Sequence, residues 1–492
     1  MPEQRPAVGD IGRYFGQVGE AVDDWMGAPK RDPLAPGSDW QVRLSGPAPE
    51  HGLGADATIQ AFIDTVLPNG PRLTSASSWG WITTGPTTVP TVIAAATMMA
   101  SPQRYTITAF NRLEELSLEW LAAMCGLGEH MKGVYSSGGS TANLIALGAA
   151  RQWALEQAGL DPAASGLDGR PVALYTSTQA HHTVQRSVAV LGLGREHVRA
   201  IPTDRSRRMD LSALEAALRE DRAAGVLPIA VIAAAGTTNT GAIDPLRGAG
   251  ELAHEYGAWY HVDGAYGLPG YLDPRVRPLY DGLELADSAI ADPHKWLGAP
   301  VGIAATFVRD RSILHRAFTQ EEADYLEGAF AGDDIQVSLD SMGPVPYADF
   351  AVELSAPPRG VLVWAILVEL GIEGMRRRIV DDNDFARHVA ARAHDHPRLE
   401  VLAEPVLSIC GFRYRPTAPA ADIDAINRQI LRRLARETQI VVSSTVVDGQ
   451  FVLRPCFINS RTRLPDVDAF VDIVIRFGDE LSGLSAGRSG SS

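Results

Sequence analysis

Ala291-Asp292-Pro293-His294-Lys295-Trp296, read together with the short run Ser288-Ala289-Ile290-Ala291 that leads into it, decides the fold. Four small or apolar residues in a row suit a strand buried on both faces, as in a parallel sheet. A lysine just past such a strand can direct its amine into a cleft instead of into water. Upstream, Ala258-Trp259-Tyr260-His261-Val262-Asp263 reads as a second buried strand, ending in a carboxylate and followed by Gly264-Ala265-Tyr266-Gly267. Open α/β sheets bind ligands outside the carboxyl ends of their strands. An Asp and a Lys delivered from two such ends therefore mark out a site.

Outward from these strands, residues 86–375 alternate helices with short apolar strands, the rhythm of an α/β chain with a mostly parallel sheet. Strands are expected at 134–135, 172–175, 229–234, 259–262, 288–291 and 303–307, and helices at 109–124 and 142–156. Residues 1–85 lack that rhythm and are rich in Pro and Gly. They carry two helical stretches, 11–26 and 57–66, and read as an N-terminal arm that packs on a partner subunit. Beyond residue 375 the pattern becomes helix 376–394, strand 406–414, helix 423–437 and strands 439–444 and 450–455. That is a smaller C-terminal α+β domain over 376–481. Residues 482–492 are a Gly/Ser-rich tail expected to be disordered. The stretch 320–346 mixes Gly, Asp and Ser and reads as a long mobile loop of the kind that closes over active sites.

Composition narrows the class of function. The chain has 492 residues, 45% of them hydrophobic and 21% charged, which describes an ordinary globular protein with room for two or three domains. A net charge of −15 argues against nucleic-acid partners and anionic membrane surfaces. Three cysteines, none in a CxxC pair, indicate neither a disulfide framework nor a zinc site. No apolar run is long enough to cross a bilayer, and no signal peptide is visible in the first thirty residues. A cytoplasmic enzyme is expected.

Five clusters follow expected strands. Lys295 and Asp263 are two of them. Ser136-Ser137-Gly138-Gly139-Ser140-Thr141 opens a helix, where backbone N–H groups can hold a phosphate. His181-His182 follows strand 172–175, and Gly236-Thr237-Thr238-Asn239-Thr240-Gly241 follows strand 229–234. Each has an ordinary structural reading on its own: a snorkelling lysine, a capping aspartate, plain turns, a pair of surface histidines. Together they suit pyridoxal 5'-phosphate, with the lysine for its aldehyde, the carboxylate for its ring nitrogen and an imidazole to stack on its ring.

The same residues resemble the group II pyridoxal-phosphate-dependent amino-acid decarboxylases, the family of aromatic-L-amino-acid, tyrosine and glutamate decarboxylases. The resemblance runs from about residue 73 to 477. Its motifs are Ser-Ser-Gly-Gly-Ser-Thr-Ala-Asn at 136–143, Gln-Ala-His-His at 179–182, Gly-Thr-Thr at 236–238, His-Val-Asp-Gly-Ala-Tyr at 261–266 and Asp-Pro-His-Lys-Trp at 292–296. It implies a fold type I transferase architecture and a homodimer with the active site at the subunit interface. Lys295 is then the residue that links to the cofactor, Asp263 the partner of the ring nitrogen, and His181 and Ala265 the residues on the two ring faces. Gly139, Ser140 and His294 belong to the phosphate cradle, and Thr238 lies near the cofactor. The family places a proton-donating tyrosine in a mobile loop. Ala317-Phe318 followed by Tyr325-Leu326 matches that arrangement, with Tyr347 as the fallback. After Leu354-Ser355 the family usually has arginine, whereas here Ala356-Pro357-Pro358 follows. Position 292 is Asp where relatives often have Asn. Trp79-Gly80-Trp81 resembles an aromatic substrate-lining stretch.

The reaction implied is loss of carbon dioxide from an L-amino acid to give the amine. No arginine in the motifs announces a second substrate carboxylate, which favours an aromatic or bulky apolar side chain over glutamate. Two alternatives remain: an aldehyde synthase that diverts the same carbanion to oxygen, and a catalytically silent protein on this fold.

Overall fold

A computed structural model describes residues 10–28, 39–101, 109–319, 347–416 and 422–483. Its strands fall into two sheets. The larger contains β2 (Lys132–Ser136), β3 (Val172–Ser177), β4 (Val198–Ile201), β5 (Leu227–Ala234), β6 (Trp259–Asp263), β7 (Ser288–Ala291) and β8 (Ala304–Val308), in spatial order β2-β8-β7-β6-β5-β3-β4. Neighbours from β7 to β4 run parallel, and β8 is antiparallel to both β7 and β2. Every residue of β3, β7 and β8 is buried, as a sheet covered on both faces requires. The α/β fold expected from the strand–helix alternation is the fold observed.

The helix Gly139–Gln157 crosses the sheet and touches β2, β5, β6, β7 and β8. Small and apolar residues on several of its sides make it a core helix, not an amphipathic surface one. It begins three residues earlier than the spacing of apolar residues suggests, because Gly139 lies directly after the β2 turn.

The smaller sheet has the order β1-β11-β12-β10-β9, built from β1 (Ser78–Trp79), β9 (Leu399–Ala403), β10 (Gly411–Tyr414), β11 (Val441–Val447) and β12 (Gln450–Arg454). Residues 78–79, inside the segment read as an arm, pair in parallel with β11. The helix Gly360–Asp395 leaves helical geometry at Gly371 (φ 63°) and connects the two parts of the molecule. The strand expected at 406–414 shortens to 411–414. Its first half is spent on other partners: the Ser408 N–H donates to the Tyr266 hydroxyl at 3.1 Å, and Ile409 makes only a single bridge to Cys456. The tail and the loop 320–346 lie outside the described residues, apart from residues 482–483.

Trp79 is not available to line a substrate site. It is fully buried in the core of the smaller part, its ring against Phe457 and Phe470 and its indole N–H donated to Thr462 Oγ1 at 2.9 Å. Trp81, two residues on, is 63% exposed. Trp79→Ala is expected to cost about 3–5 kcal/mol of stability through the cavity it leaves, read as a lower urea midpoint. Trp81→Ala should stay within about 0.5 kcal/mol of the parent. Equal losses in the two variants would contradict this assignment.

Candidate active site

Because β3, β5, β6 and β7 are parallel neighbours, their carboxyl ends line up along one edge of the sheet. β6 ends in Asp263, and the loops after β3, β5 and β7 carry His181, Thr238 and Lys295. Beyond β8, the turn after β2 adds Gly138 and the start of the helix Gly139–Gln157.

Asp263 ends β6. Its Oδ1 accepts the Ala265 N–H at 3.2 Å and its Oδ2 accepts Asn143 Nδ2–H at 3.2 Å. Asn143 Oδ1 lies 3.1 Å from His261 Nε2, whose Nδ1 lies 2.8 Å from Ser288 Oγ, and Ser288 Oγ accepts the Trp259 indole N–H at 2.7 Å. A one-way chain fits these contacts: Trp259 donates to Ser288, Ser288 to His261 Nδ1, His261 Nε2–H to Asn143, and Asn143 to Asp263. It requires an uncharged imidazole. Burial enforces that by pushing the His261 pKa down to about 4, against the opposing pull of the Asp263 charge. Ala142, Ala146, Ala265, Ile290 and Ala304 form a small apolar cluster nearby.

Lys295 follows β7 in a tight turn. Its Nζ is 2.9 Å from Asp292 Oδ2, and its side chain is 22% exposed whereas that of Asp292 is 1% exposed. His294 Nε2 stands 3.8 Å from the same Asp292 oxygen, and its Nδ1 lies 2.6 Å from the Ile303 carbonyl oxygen. A Cβ at Gly139 would lie 2.6 Å from Asp292 Oδ2, so only glycine lets the helix start this close to the carboxylate. His181 is partly buried, with Nδ1 2.8 Å from Thr183 Oγ1 and its ring 4.2 Å from that of His182. Burial holds the His181 pKa below the usual histidine value, and the charges of His182 and Lys295 push the same way. Those of Asp263 and Asp292 oppose them. Four charged groups thus bear on this one ring.

Several residues escaped the sequence reading. Asn143 closes the quoted motif 136–143, one helical turn beyond Gly139, but only the fold shows that it bridges His261 and Asp263. Arg359, just past Ala356-Pro357-Pro358, is 6% exposed, pairs with Glu353 at 2.9 and 3.1 Å and donates Nε–H to the Gly302 carbonyl at 3.0 Å. Arg454 binds the carbonyls of Asn239 (3.0 Å) and Thr238 and so ties the loop after β5 to the smaller sheet. Tyr347, the fallback proton donor, is fully buried, donates its hydroxyl to Glu115 and packs under the Arg311 guanidinium, which leaves it no route to a substrate. Tyr325 lies outside the described residues.

The residues present fit pyridoxal 5'-phosphate. Asp292 Oδ1 and Ser136 Oγ are buried without a hydrogen-bond partner at this edge, and the glycine-opened helix start supplies backbone donors for an anion. A lysine amine can bond an aldehyde, and a carboxylate braced by two N–H donors can face a ring nitrogen. These features define a pyridoxal-phosphate enzyme of the fold type I class. Residues 94–415 match the family described as "Pyridoxal-dependent decarboxylase conserved domain". The chain is 31% identical over 374 residues to an aromatic-L-amino-acid decarboxylase from Bacillus atrophaeus, covering 76% of this chain and 74% of the relative. It is 28% identical over 472 residues to tryptophan decarboxylase 1 of Oryza sativa subsp. japonica, covering 90% and 89%. The crystal structure of Oryza sativa TDC with PLP and tryptamine superposes with a TM-score of 0.87 at 25% identity, covering 97% of this chain and 99% of that one. The chain belongs to the pyridoxal-dependent decarboxylase family and is a carboxy-lyase acting on an amino acid with pyridoxal 5'-phosphate as cofactor.

Asn143→Ala would leave His261 Nε2 and Asp263 Oδ2 without their shared partner. It is expected to weaken cofactor binding by about tenfold or more, the equivalent of ~1.4 kcal/mol, in absorbance titrations of the apoprotein. Binding within about twofold of the parent would show the bridge to be idle.

Proposed function

We propose that the chain decarboxylates an aromatic L-amino acid to its amine, with Lys295, Asp263 and His181 as the central residues. The observation that carries the proposal is that Asp263, braced by Asn143 and Ala265, and Lys295, 2.9 Å from Asp292, stand at the carboxyl ends of the neighbouring parallel strands β6 and β7. Pyridoxal phosphate, when bound, supplies an aldehyde for amines and a cationic ring that draws electrons from the bond to the departing carboxylate. Lys295 Nζ would provide the amine that holds the cofactor aldehyde. Asp263 keeps the proton on the ring nitrogen, and the donor chain behind it holds that carboxylate in place. His181 would cover one ring face of the bound cofactor and Ala265, whose methyl leaves room for a flat ring, the other. Gly139, Ser140 and His294 receive the phosphate, and Thr238 closes the side next to β5. Tyr325 is assigned the return of a proton to the substrate Cα.

An aromatic substrate is supported by the relatives, which include aromatic-L-amino-acid and tryptophan decarboxylases, and by the absence of a substrate-binding arginine in the sequence motifs. A homodimer is supported by exposed apolar residues that one chain leaves uncovered. The helix Ile11–Gly27 buries no residue and exposes Ile11, Phe15 and Met26. Val92, Met98 and Met99 on the helix Thr88–Ala100 are exposed as well, and Val301, in the loop after Lys295, is 88% exposed. Among the described residues, no helix is long and apolar enough to cross a membrane.

The test is a screen of the standard amino acids for carbon dioxide and amine release, run beside Lys295→Ala. Tryptophan, tyrosine or phenylalanine should give equal amounts of both products, and Lys295→Ala should lose turnover and the lysine-linked cofactor absorbance together. Release of ammonia and peroxide in place of amine, or turnover retained in Lys295→Ala, would defeat the proposal.

A further inference from the structure

The turn that carries Lys295 has little regular structure of its own. Its backbone bonds include Lys295 N–H to the Asp292 carbonyl (2.9 Å), Gly298 N–H to the Lys295 carbonyl (3.2 Å) and Ala299 N–H to the Pro293 carbonyl (3.1 Å), with His294 N–H to the Ile303 carbonyl (3.4 Å) and Thr87 N–H to the Gly298 carbonyl (2.9 Å) from neighbouring segments. What holds it from behind is a pair of side chains on the helix Gly360–Asp395. Asp382 Oδ2 accepts the indole N–H of Trp296, the residue after Lys295, at 2.8 Å. Arg378, one helical turn earlier, donates Nη1–H to the carbonyl of Leu297 at 2.9 Å and Nη2–H to the carbonyl of Ile458 at 3.0 Å. The fit is tight: a Cβ at Gly298, whose φ is +74°, would lie 3.0 and 3.1 Å from the two terminal nitrogens of Arg378.

Trp296 is fully buried and also faces the other half of the site. Its ring stacks on that of Tyr266 at 5.2 Å with an interplanar angle of 19°. Tyr266 closes the turn that begins at Asp263, and its hydroxyl lies 2.6 Å from Ser408 Oγ. One indole therefore sits between the turn of the lysine and the turn of the carboxylate, and its only hydrogen-bonding atom is held by Asp382. Neither Arg378 nor Asp382 lies in any motif of the site, and both act through residues 296 and 297.

We propose that Asp382 and Arg378 are positioning residues that set where Lys295 stands relative to Asp263, by fixing the indole and the carbonyl that follow the lysine. Asp382 is 2% exposed, and burial pushes its pKa up to about 7. The Arg378 charge and the Trp296 bond pull it back, and the Asp381 charge pushes it further up. The other titratable group beside it is the buried Cys456 thiol. An indole N–H left beside a missing acceptor in this dry interior is costly, so the turn should shift to find another.

The inference rests on the proposed role of Lys295, and the test separates the two. In the holoenzyme, Asp382→Ala is expected to lower kcat per bound cofactor by about tenfold or more with KM changed less than about twofold. It should also move the pH at which the lysine-linked cofactor absorbance titrates by at least about half a unit. Asp382→Asn keeps an oxygen for the indole N–H and should restore both readouts to near the parent values. Trp296→Phe keeps the ring and removes the N–H. It should move both readouts in the same direction as Asp382→Ala, which keeps the idea testable if the alanine variant fails to fold. A variant that melts at a lower temperature yet keeps the parent kcat per bound cofactor and the parent absorbance titration would overturn the positioning role. If the parent protein itself shows no lysine-linked absorbance, the reading of Lys295 fails instead.

Discussion

Charges held at the rim of an apolar sheet are the constraint on which the rest of this structure depends. Asp263, Asp292 and Lys295 stand at the ends of two strands whose neighbours are alanine, isoleucine and tryptophan, where an unpaired ion costs several kcal/mol. Lys295 and Asp292 answer each other at 2.9 Å. Asp263 is answered by neutral donors instead, the last link of a chain that starts at the Trp259 indole and runs through Ser288, His261 and Asn143. A cationic His261 would reverse a link in that chain, and burial prevents it. The core that makes the sheet stable is therefore also what sets the polarity of the site.

The second part of the molecule holds the site loops from outside. Arg454 of β12 takes the carbonyls after β5, Ser408 takes the Tyr266 hydroxyl, and Arg378 takes Leu297 together with Ile458. Each of these bonds crosses between chain segments far apart in sequence. Such contacts bring no apolar area of their own. They convert loops with few backbone bonds into fixed walls, which is what a site that must orient one bond of its substrate needs.

How much of this was legible in the sequence follows from what each feature depends on. β6 and β7 were readable because an apolar run ending in Asp, or leading into a Lys, is a local signal. The edge strand β4 was missed because Val-Arg-Ala-Ile, with only its last residue buried, carries no run and no clean alternation. β9 was missed for a similar reason: Leu-Glu-Val-Leu-Ala breaks the alternation at its fourth residue. β1 has two residues and exists only because β11 lies beside it. In the site, Lys295, Asp263 and His181 stand out by residue type and by their place after apolar runs, and the fold brings those three strand ends to one edge of the sheet. Asn143, Arg359 and Arg454 do not stand out, because an amide or guanidinium declares its role only through the carbonyls and carboxylates that folding brings to it. Trp79 and Trp81 show the same limit, since two tryptophans flanking one glycine face opposite environments and nothing in their spacing says which is core.

The charge balance around His181 connects the site to the direction of the reaction. Under the roles proposed above, the imidazole would lie on the face of a cofactor ring whose positive charge Asp263 would balance. A protonated His181 would set a second cation against it and weaken the ring's hold on its own proton, and with it the capacity to draw electrons from the breaking bond. The structure guards against this in two ways. Burial disfavours the charged imidazole, and His182 and Lys295 disfavour it further. Asp263 and Asp292 pull the other way but do not win. Desolvation is the largest influence on that ring, so the partial burial of the imidazole does most to keep it neutral. A departing carboxylate loses its charge as carbon dioxide, and a site whose lysine is already paired with Asp292 offers that charge little reason to stay.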